Sequence, residues 1–184
     1  MAGRRAFDEI WGSGKSAAPR PQFASLARWM EETSTTELLR RQQSAEQTFR
    51  QLGITFAVYG DADAAERIIP FDIVPRVFTA SEWERLSVGL VQRVEAINAF
   101  LADIYGPRKI LADGILPPDL ILGNPQFRPE IAGAHPPHGI YAHICGIDMV
   151  RTGPYDFFVL EDNARTPSGV SYMLENREIM TRMF

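Results

Sequence analysis

Apolar residues recur along the chain at two spacings, and the spacings divide it into elements. Phe23, Leu26, Ala27 and Met30 fall three or four residues apart, which predicts a short amphipathic helix over 23–32. Leu38, Leu39, Ala45 and Phe49 mark a second helix over 35–52, with Thr36 as its cap and Gly53 as its stop. The run ITFAVY at 54–59 is β-branched and aromatic and reads as a strand ended by Gly60 and Asp61. A short strand is expected around 71–74. Ser81 is placed to cap a long helix over 82–104 whose apolar face holds Leu86, Leu90, Val94, Ile97 and Leu101. Pro117 and Pro118 break the pattern, and 124–139 is a loop rich in Pro and Gly. Residues 1–22 lack a periodic face and read as an arm, pinned by Phe7, Ile10 and Trp11; residues 23–184 read as one unit.

The last 46 residues carry most of the chemistry. Residues 139–150 are strand-like, 151–155 (RTGPY) have turn chemistry, and 156–163 (DFFVLEDN) form a second strand, together an antiparallel hairpin. Thr166, Pro167, Ser168 and Gly169 break that strand, and a helix is expected from about 170 onward. Glu161 and Asn163 are two apart, so they share a face. With Arg151 opposite Asp156, Asp148 falls opposite Val159 and joins them. Two carboxylates and an amide oxygen then converge, and all three are hard ligands of the kind Mg2+ accepts. A slip of one residue moves Asp148 to the other face, so the inference hangs on register. The alternative is a solvated acidic edge. The run from Phe157 to Leu160 argues against it, because an apolar strand is expected to be well buried and polar groups at its end then need partners.

Composition narrows the classes. The chain has 184 residues, 45% hydrophobic and 23% charged, as in a soluble globular protein. A net charge of −4 argues against general binding of nucleic acid. A single cysteine, Cys145, excludes an internal disulfide. No window has the length and apolarity of a membrane span, and a cytoplasmic protein is expected.

The motif Glu161-Asp162-Asn163-x-Arg165-x-Pro167-Ser168-Gly169 resembles the Glu-x-Asn-x-x-Pro-Gly element of ATP-grasp ligases. The longer run GIDMVRTGPYDFFVLEDNARTPSGVSYMLENREIM is similar to the circularly permuted ATP-grasp type 2 family, whose members are similar to glutathionylspermidine synthetases and, more distantly, to eukaryotic glutathione synthetase. Earlier segments fit as well: Tyr59-Gly60-Asp61, the run from Ile69 to Pro75, Glu82-Trp83, Gln92-Arg93, the run from Ala102 to Gly106, and the run from His143 to Asp148. The likeness covers nearly the whole chain and is most specific over 160–177.

The resemblance implies an α+β fold, a mixed or antiparallel sheet flanked by helices, as an incomplete glutathione synthetase-like unit. It implies ATP as substrate and Mg2+ as cofactor. Asp148, Glu161 and Asn163 match the family's metal ligands. Arg165, Ser168, Gly169 and Ser171 fall where related ligases bind the acyl substrate or the forming acyl phosphate, and Arg151 is a further candidate for a phosphate or substrate contact. Glutathionylspermidine synthetases carry an Arg two residues before the first Asp; Gly146 stands there in this chain. Either Arg151 takes that role or the acyl substrate is held differently. The implied reaction joins a small-molecule acid to an amine or peptide through an acyl phosphate. Family chains are considerably longer, so this chain reads as an N-terminal fragment that is inactive alone and prone to self-association. A non-catalytic protein that keeps the hairpin to hold a metabolite or partner is the competing class.

Other signals point elsewhere. The sequence Gly12-Ser13-Gly14-Lys15-Ser16 mimics the end of a phosphate-binding loop, but Glu9 occupies the position of its first glycine. His135, His138 and His143 lack zinc spacing, and Cys145 reads as a small buried residue rather than a nucleophile. Asp61 and Asp63 read as turn residues, and Arg40, Arg41 and Arg50 as a solvated face.

Overall fold

A computed structural model describes residues 7–12, 18–56, 67–68, 70–167 and 169–183. The fold is α+β, with six α-helices and four short strands among the described residues. The strands pair as two separate two-stranded sheets. The chain divides into two compact units.

The first unit takes the described parts of 1–80, 149–160 and 168–184. A 3-10 turn at Pro21–Phe23 leads into α1 (Ala24–Glu32) and then α2 (Thr35–Gln51). Ser34, not Thr36, caps α2: its hydroxyl accepts from the Glu37 N–H at 3.2 Å, and Thr36 is already helical. Gly53 ends the helix at φ +67°, a backbone setting that glycine reaches without strain. Strand β1 (Thr55–Phe56) pairs antiparallel with β2 (Arg67–Ile68); of the predicted 54–59 strand, Ile54 is not extended into the pair and 57–59 lie outside the described residues. The expected strand at 71–74 is absent. Asp72 Oδ1 accepts from the Val74 N–H at 2.8 Å, a local turn that competes with strand pairing. Phe71 and Ile73 are nonetheless core. They pack with Ala45 and Phe49 of α2 and with Ile179 of α6 (Gly169–Met183).

The second unit takes 81–148 and 161–167. Its spine is α3 (Ala80–Ile104), which starts two residues before the expected 82, so Ser81 lies inside the helix rather than at its cap. The predicted face of Leu86, Leu90, Val94, Ile97 and Leu101 is half-buried, while Trp83, Val88 and Val91 are exposed. Two short helices follow, α4 (Lys109–Ala112) and α5 (Pro118–Leu122).

The hairpin consists of β3 (Gly146–Arg151) and β4 (Phe157–Asn163). Its turn end counts with the first unit and its open end with the second. β3 is shorter than the pattern over 139–150 predicts, because Pro136, Pro137 and a left-handed His138 (φ 58°) hold the preceding chain in turns. β4 is not well buried: Phe157 and Val159 are half-buried, but Phe158 and Leu160 are exposed. With a single partner strand, one face of β4 has nothing described against it.

Candidate functional site

The site is built outward from α3. Asn98 sits on that helix between apolar neighbours and turns its amide to the chain that leads into β3. Its Oδ1 accepts from the N–H groups of Tyr141 (2.8 Å) and Ala142 (2.9 Å), and its Nδ2 donates to the Ala142 carbonyl at 3.3 Å. Tyr105 follows α3 and stacks on Phe127 at 5.0 Å and Tyr141 at 6.2 Å. Its hydroxyl accepts from the Arg128 N–H at 3.2 Å, and its carbonyl from the Gly133 N–H at 2.9 Å. Asp103 caps α4 through the N–H groups of Lys109 and Ile110, both at 3.0 Å. The long loop therefore has fixed ends, and β3 starts from a defined place.

At the open end of the hairpin, Gly146 lies against Asn163 and Pro167. A Cβ built on Gly146 would come within 3.6 Å of the Asn163 Cβ and 3.3 Å of the Pro167 Cβ. Gly146 and Asn163 therefore share a face. Alternation along each strand carries the relationship inward: Asp148 shares the face of Gly146, and Glu161 that of Asn163. Burial agrees. Asp148, Glu161 and Asn163 are exposed, whereas Ile147 and Asp162 between them are half-buried.

The turn has a different register from the expected one. The Thr152 N–H donates to the Asp156 carbonyl at 3.0 Å, so Thr152 rather than Arg151 lies across from Asp156. Extended without interruption, that register would put Asp148 opposite Leu160, on the wrong face. β4 has one residue more than β3 between the turn and the open end, and its alternation slips where Leu160 and Glu161 are both exposed. The approach of Gly146 to Asn163 is one residue out of step with that register, and it keeps Asp148 on the face of Glu161 and Asn163.

Within the face, Asn163 donates its Nδ2–H to Glu161 Oε1 at 3.1 Å. That leaves the amide oxygen of Asn163 and the second carboxylate oxygen of Glu161 for a cation. No group of three His, Cys, Asp or Glu residues suited to a metal occurs among the described residues. Two carboxylates and one amide oxygen do not enclose an ion. They fit Mg2+, which keeps waters and takes further oxygens from substrate phosphates.

Asp162 points the other way and is held by Arg93 of α3 in a fork, with Nε–Oδ1 and Nη2–Oδ2 both at 2.6 Å. This pairing holds the Asp162 carboxyl below its ordinary value and raises the Arg93 guanidinium above its own. Arg165 is exposed just past β4 and donates to Gln126 Oε1.

Gly169 and Ser171 stand at the start of α6, both exposed, and count with the first unit; Ser168 lies outside the described residues. Arg151 is buried, with its side chain 1% exposed, in a cage of Phe157, Phe7 and Phe78. Asp61, Asp63 and residues 13–17 lie outside the described residues. His135, His138 and His143 are exposed, and Cys145 is half-buried rather than buried, because it lines a shallow apolar groove with Leu90, Val94 and Ile147. Sequence reasoning missed the roles of Asn98 and Arg93. For Asn98 a signal existed: it interrupts an apolar helix face with a residue that favours local backbone bonds over helix.

A hairpin ending in Glu-x-Asn within an α+β frame is that of a partial ATP-grasp-like fold. The profile described as circularly permuted ATP-grasp type 2 matches residues 75–184, and the chain belongs to that family. An uncharacterized protein of Synechocystis sp. is 47% identical over 178 residues, covering 97% of this chain and 37% of its own length. An uncharacterized protein of Mycobacterium tuberculosis is 41% identical over 179 residues, covering 97% of this chain and 31% of its own length. A Frankia alni protein named "Putative glutamate--cysteine ligase 2-3" is 43% identical over 177 residues, 94% of this chain but 20% of its own length. The chain thus spans well under half the length of these relatives. No helix among the described residues is long and apolar enough to cross a membrane.

Proposed function

We propose that this chain is the metal-binding portion of an ATP-dependent carboxylate–amine ligase that works through an acyl phosphate. The observation that carries the reading is the shared exposed face of Asp148, Glu161 and Asn163 at the open end of the hairpin. These three residues would hold Mg2+, which supplies charge compensation to the phosphates of bound ATP. Arg165, free of burial and beside the ligand strand, would clamp an anionic group of the acyl substrate or acyl phosphate. By the family resemblance, Ser168, Gly169 and Ser171 would offer hydroxyl and backbone N–H donors to an anionic group of the substrate.

In this reaction a carboxylate oxygen of the substrate attacks the γ-phosphorus, and the bond from that phosphorus to the ADP oxygen breaks. The amine nitrogen then attacks the acyl carbon, inorganic phosphate leaves, and the nitrogen loses a proton. Positioning and electrostatics dominate such chemistry, so no side-chain nucleophile is required. The name of the Frankia relative supports a ligase class. It describes a protein of which the matching segment is a fifth, so it does not fix the acid or the amine. A cytoplasmic enzyme fits a reaction that consumes ATP. The 184-residue chain alone, with Phe158 and Leu160 exposed, is expected to self-associate.

The test is Mg2+-dependent ATP binding by the intact protein, wild type and Glu161→Ala, followed by ADP release with mixtures of carboxylates and amines. Binding lost in Glu161→Ala and ADP released only with both co-substrates is the expected result. Binding without turnover in any mixture would assign the protein instead to a non-catalytic metabolite-binding class.

A further inference from the structure

Asp162 lies between two residues assigned to the metal face, yet its own side chain points away from it and into a two-pronged contact with α3. We infer that Arg93 is a positioning residue, which fixes the end of β4 so that Glu161 and Asn163 keep their places on the metal face. The inference rests on the proposed metal role of that face and goes beyond it.

Three observations carry it. The first is need. β4 belongs to a two-stranded sheet, and such hairpins are marginal on their own. Its terminal residues, Glu161 to Asn163, lie at the open end of the hairpin, away from the turn. Something outside the sheet must hold them. The second is geometry. A planar fork with both distances at 2.6 Å fixes the direction of the Asp162 side chain as well as its position. On an extended strand, fixing residue 162 fixes the opposite orientation of 161 and 163. The anchor is the middle of a 25-residue helix, the longest element of the chain, and the same helix holds the approach to β3 through Asn98. One rigid element therefore references both strands of the site. The third is charge. Asp148, Glu161 and Asp162 bring three carboxylates into six residues' worth of paired strand. The Arg93 guanidinium compensates Asp162, which leaves Asp148 and Glu161 as the carboxylates of the face.

The pair is partly exposed, with side chains at 44% and 23%, so its effect on global stability should be small. That separates a positioning role from a structural one. The experiment uses the intact protein with Mn2+ in place of Mg2+ and a non-hydrolysable ATP analogue, with bound metal counted by electron paramagnetic resonance. Arg93→Ala should weaken Mn2+ binding by about ten- to a hundredfold, the range for partners that orient a ligand. Its Tm should move by no more than about 4 °C. Arg93→Lys should recover only part, because an ammonium is a point charge rather than a fork. The double variant Arg93→Ala with Asp162→Ala should bind no worse than Arg93→Ala alone, since the two residues act as one unit.

Full Mn2+ affinity in Arg93→Ala, beside its loss in Glu161→Ala, would overturn the positioning role and leave the metal face standing. So would a loss in Arg93→Ala that merely tracks the fraction unfolded. Unchanged affinity in Glu161→Ala would overturn the metal face itself, and the role of Arg93 with it.

Discussion

Asn98 grips the peptide unit of Ala142 from both sides, accepting from its N–H at 2.9 Å and donating to its carbonyl at 3.3 Å. A third contact, from the Tyr141 N–H at 2.8 Å, uses the same oxygen. Ala142 is among the few buried residues of its unit, so these backbone groups have limited access to water. Asn98→Ala would leave two N–H groups and a carbonyl without their partner. The expected loss is about 1–3 kcal/mol, read by urea or thermal denaturation. Asn98→Asp keeps the acceptor but puts a carboxylate oxygen against the carbonyls of Ala142 and Val94, and it too should be destabilised. Wild-type stability in Asn98→Ala would show that the loop ends are held by the Tyr105 stack instead.

Gly146 lies directly against Asn163 and Pro167. Its backbone needs no left-handed setting; what it needs is space. A Cβ there would press on Pro167 at 3.3 Å and touch Asn163 at 3.6 Å. Gly146→Ala should cost about 1–3 kcal/mol, as overpacking does, and Gly146→Arg should cost more. The measurement is a denaturation midpoint, with Mn2+ affinity as a second reading because the displaced neighbour is Asn163. A neutral Gly146→Ala would mean that Pro167 moves freely and that the corner is loose.

Much of this was legible in the sequence. The helices followed from 3.6-residue periodicity, because each buries one stripe: Leu26 and Ala27 in α1, Ala45 and Phe49 in α2. The pairing of Glu161 with Asn163 on one face followed from the two-residue repeat alone. The position of Asp148 did not. The expected register at the turn pairs Arg151 with Asp156; the structure pairs Thr152 with Asp156, and Gly146 meets Asn163 a further residue along. Two shifts of one residue in the same sense return Asp148 to the expected face, by a route the turn residues do not reveal. The core role of Phe71 and Ile73 without strand structure was hidden for a similar reason: alternating apolar residues look the same whether a strand partner or the turn at Asp72 holds them. The Arg93–Asp162 fork joins residues 69 apart in sequence, a distance over which no local pattern speaks.

Glu37 offers a check on the electrostatics of the first unit. Hydrogen bonds from Arg40 first, and then from Arg41, lower its pKa from 4.5 to about 2. The group is half-buried and burial pushes its pKa up, so the net lowering belongs to the two arginine contacts. A depressed carboxyl favours the folded state above its ordinary pKa and loses that contribution as pH falls. Here the loss runs from 4.5 down through about 2. The carboxyl 13C shift of Glu37 should titrate near the low end of that window, and Arg40→Ala should move its midpoint upward. A native midpoint at the ordinary value would show that the Arg40 and Arg41 contacts do not persist in solution.

Arg151 separates two roles that the sequence leaves open. Its guanidinium donates to the carbonyls of Gly153 at 3.1 Å and Pro154 at 2.6 Å, closing the hairpin turn on itself. It lies 3.5 Å from Glu9 Oε2, and its charge is sandwiched by Phe157 at 5.0 Å and Phe7 at 5.5 Å. A side chain so enclosed is committed to the turn and to the arm that carries Phe7 and Glu9. Arg151→Ala removes one partner of a buried ion pair and should cost about 3–5 kcal/mol in a denaturation experiment. Arg151→Lys should recover little, because one ammonium cannot reach two carbonyls and a carboxylate in the fork geometry. Metal and nucleotide affinity per folded molecule should stay at the wild-type level in both variants. A well-folded Arg151→Ala that had lost acyl-substrate binding would reverse this assignment. It would mean that the side chain leaves its aromatic cage when substrate arrives and supplies the positive charge that Gly146 cannot.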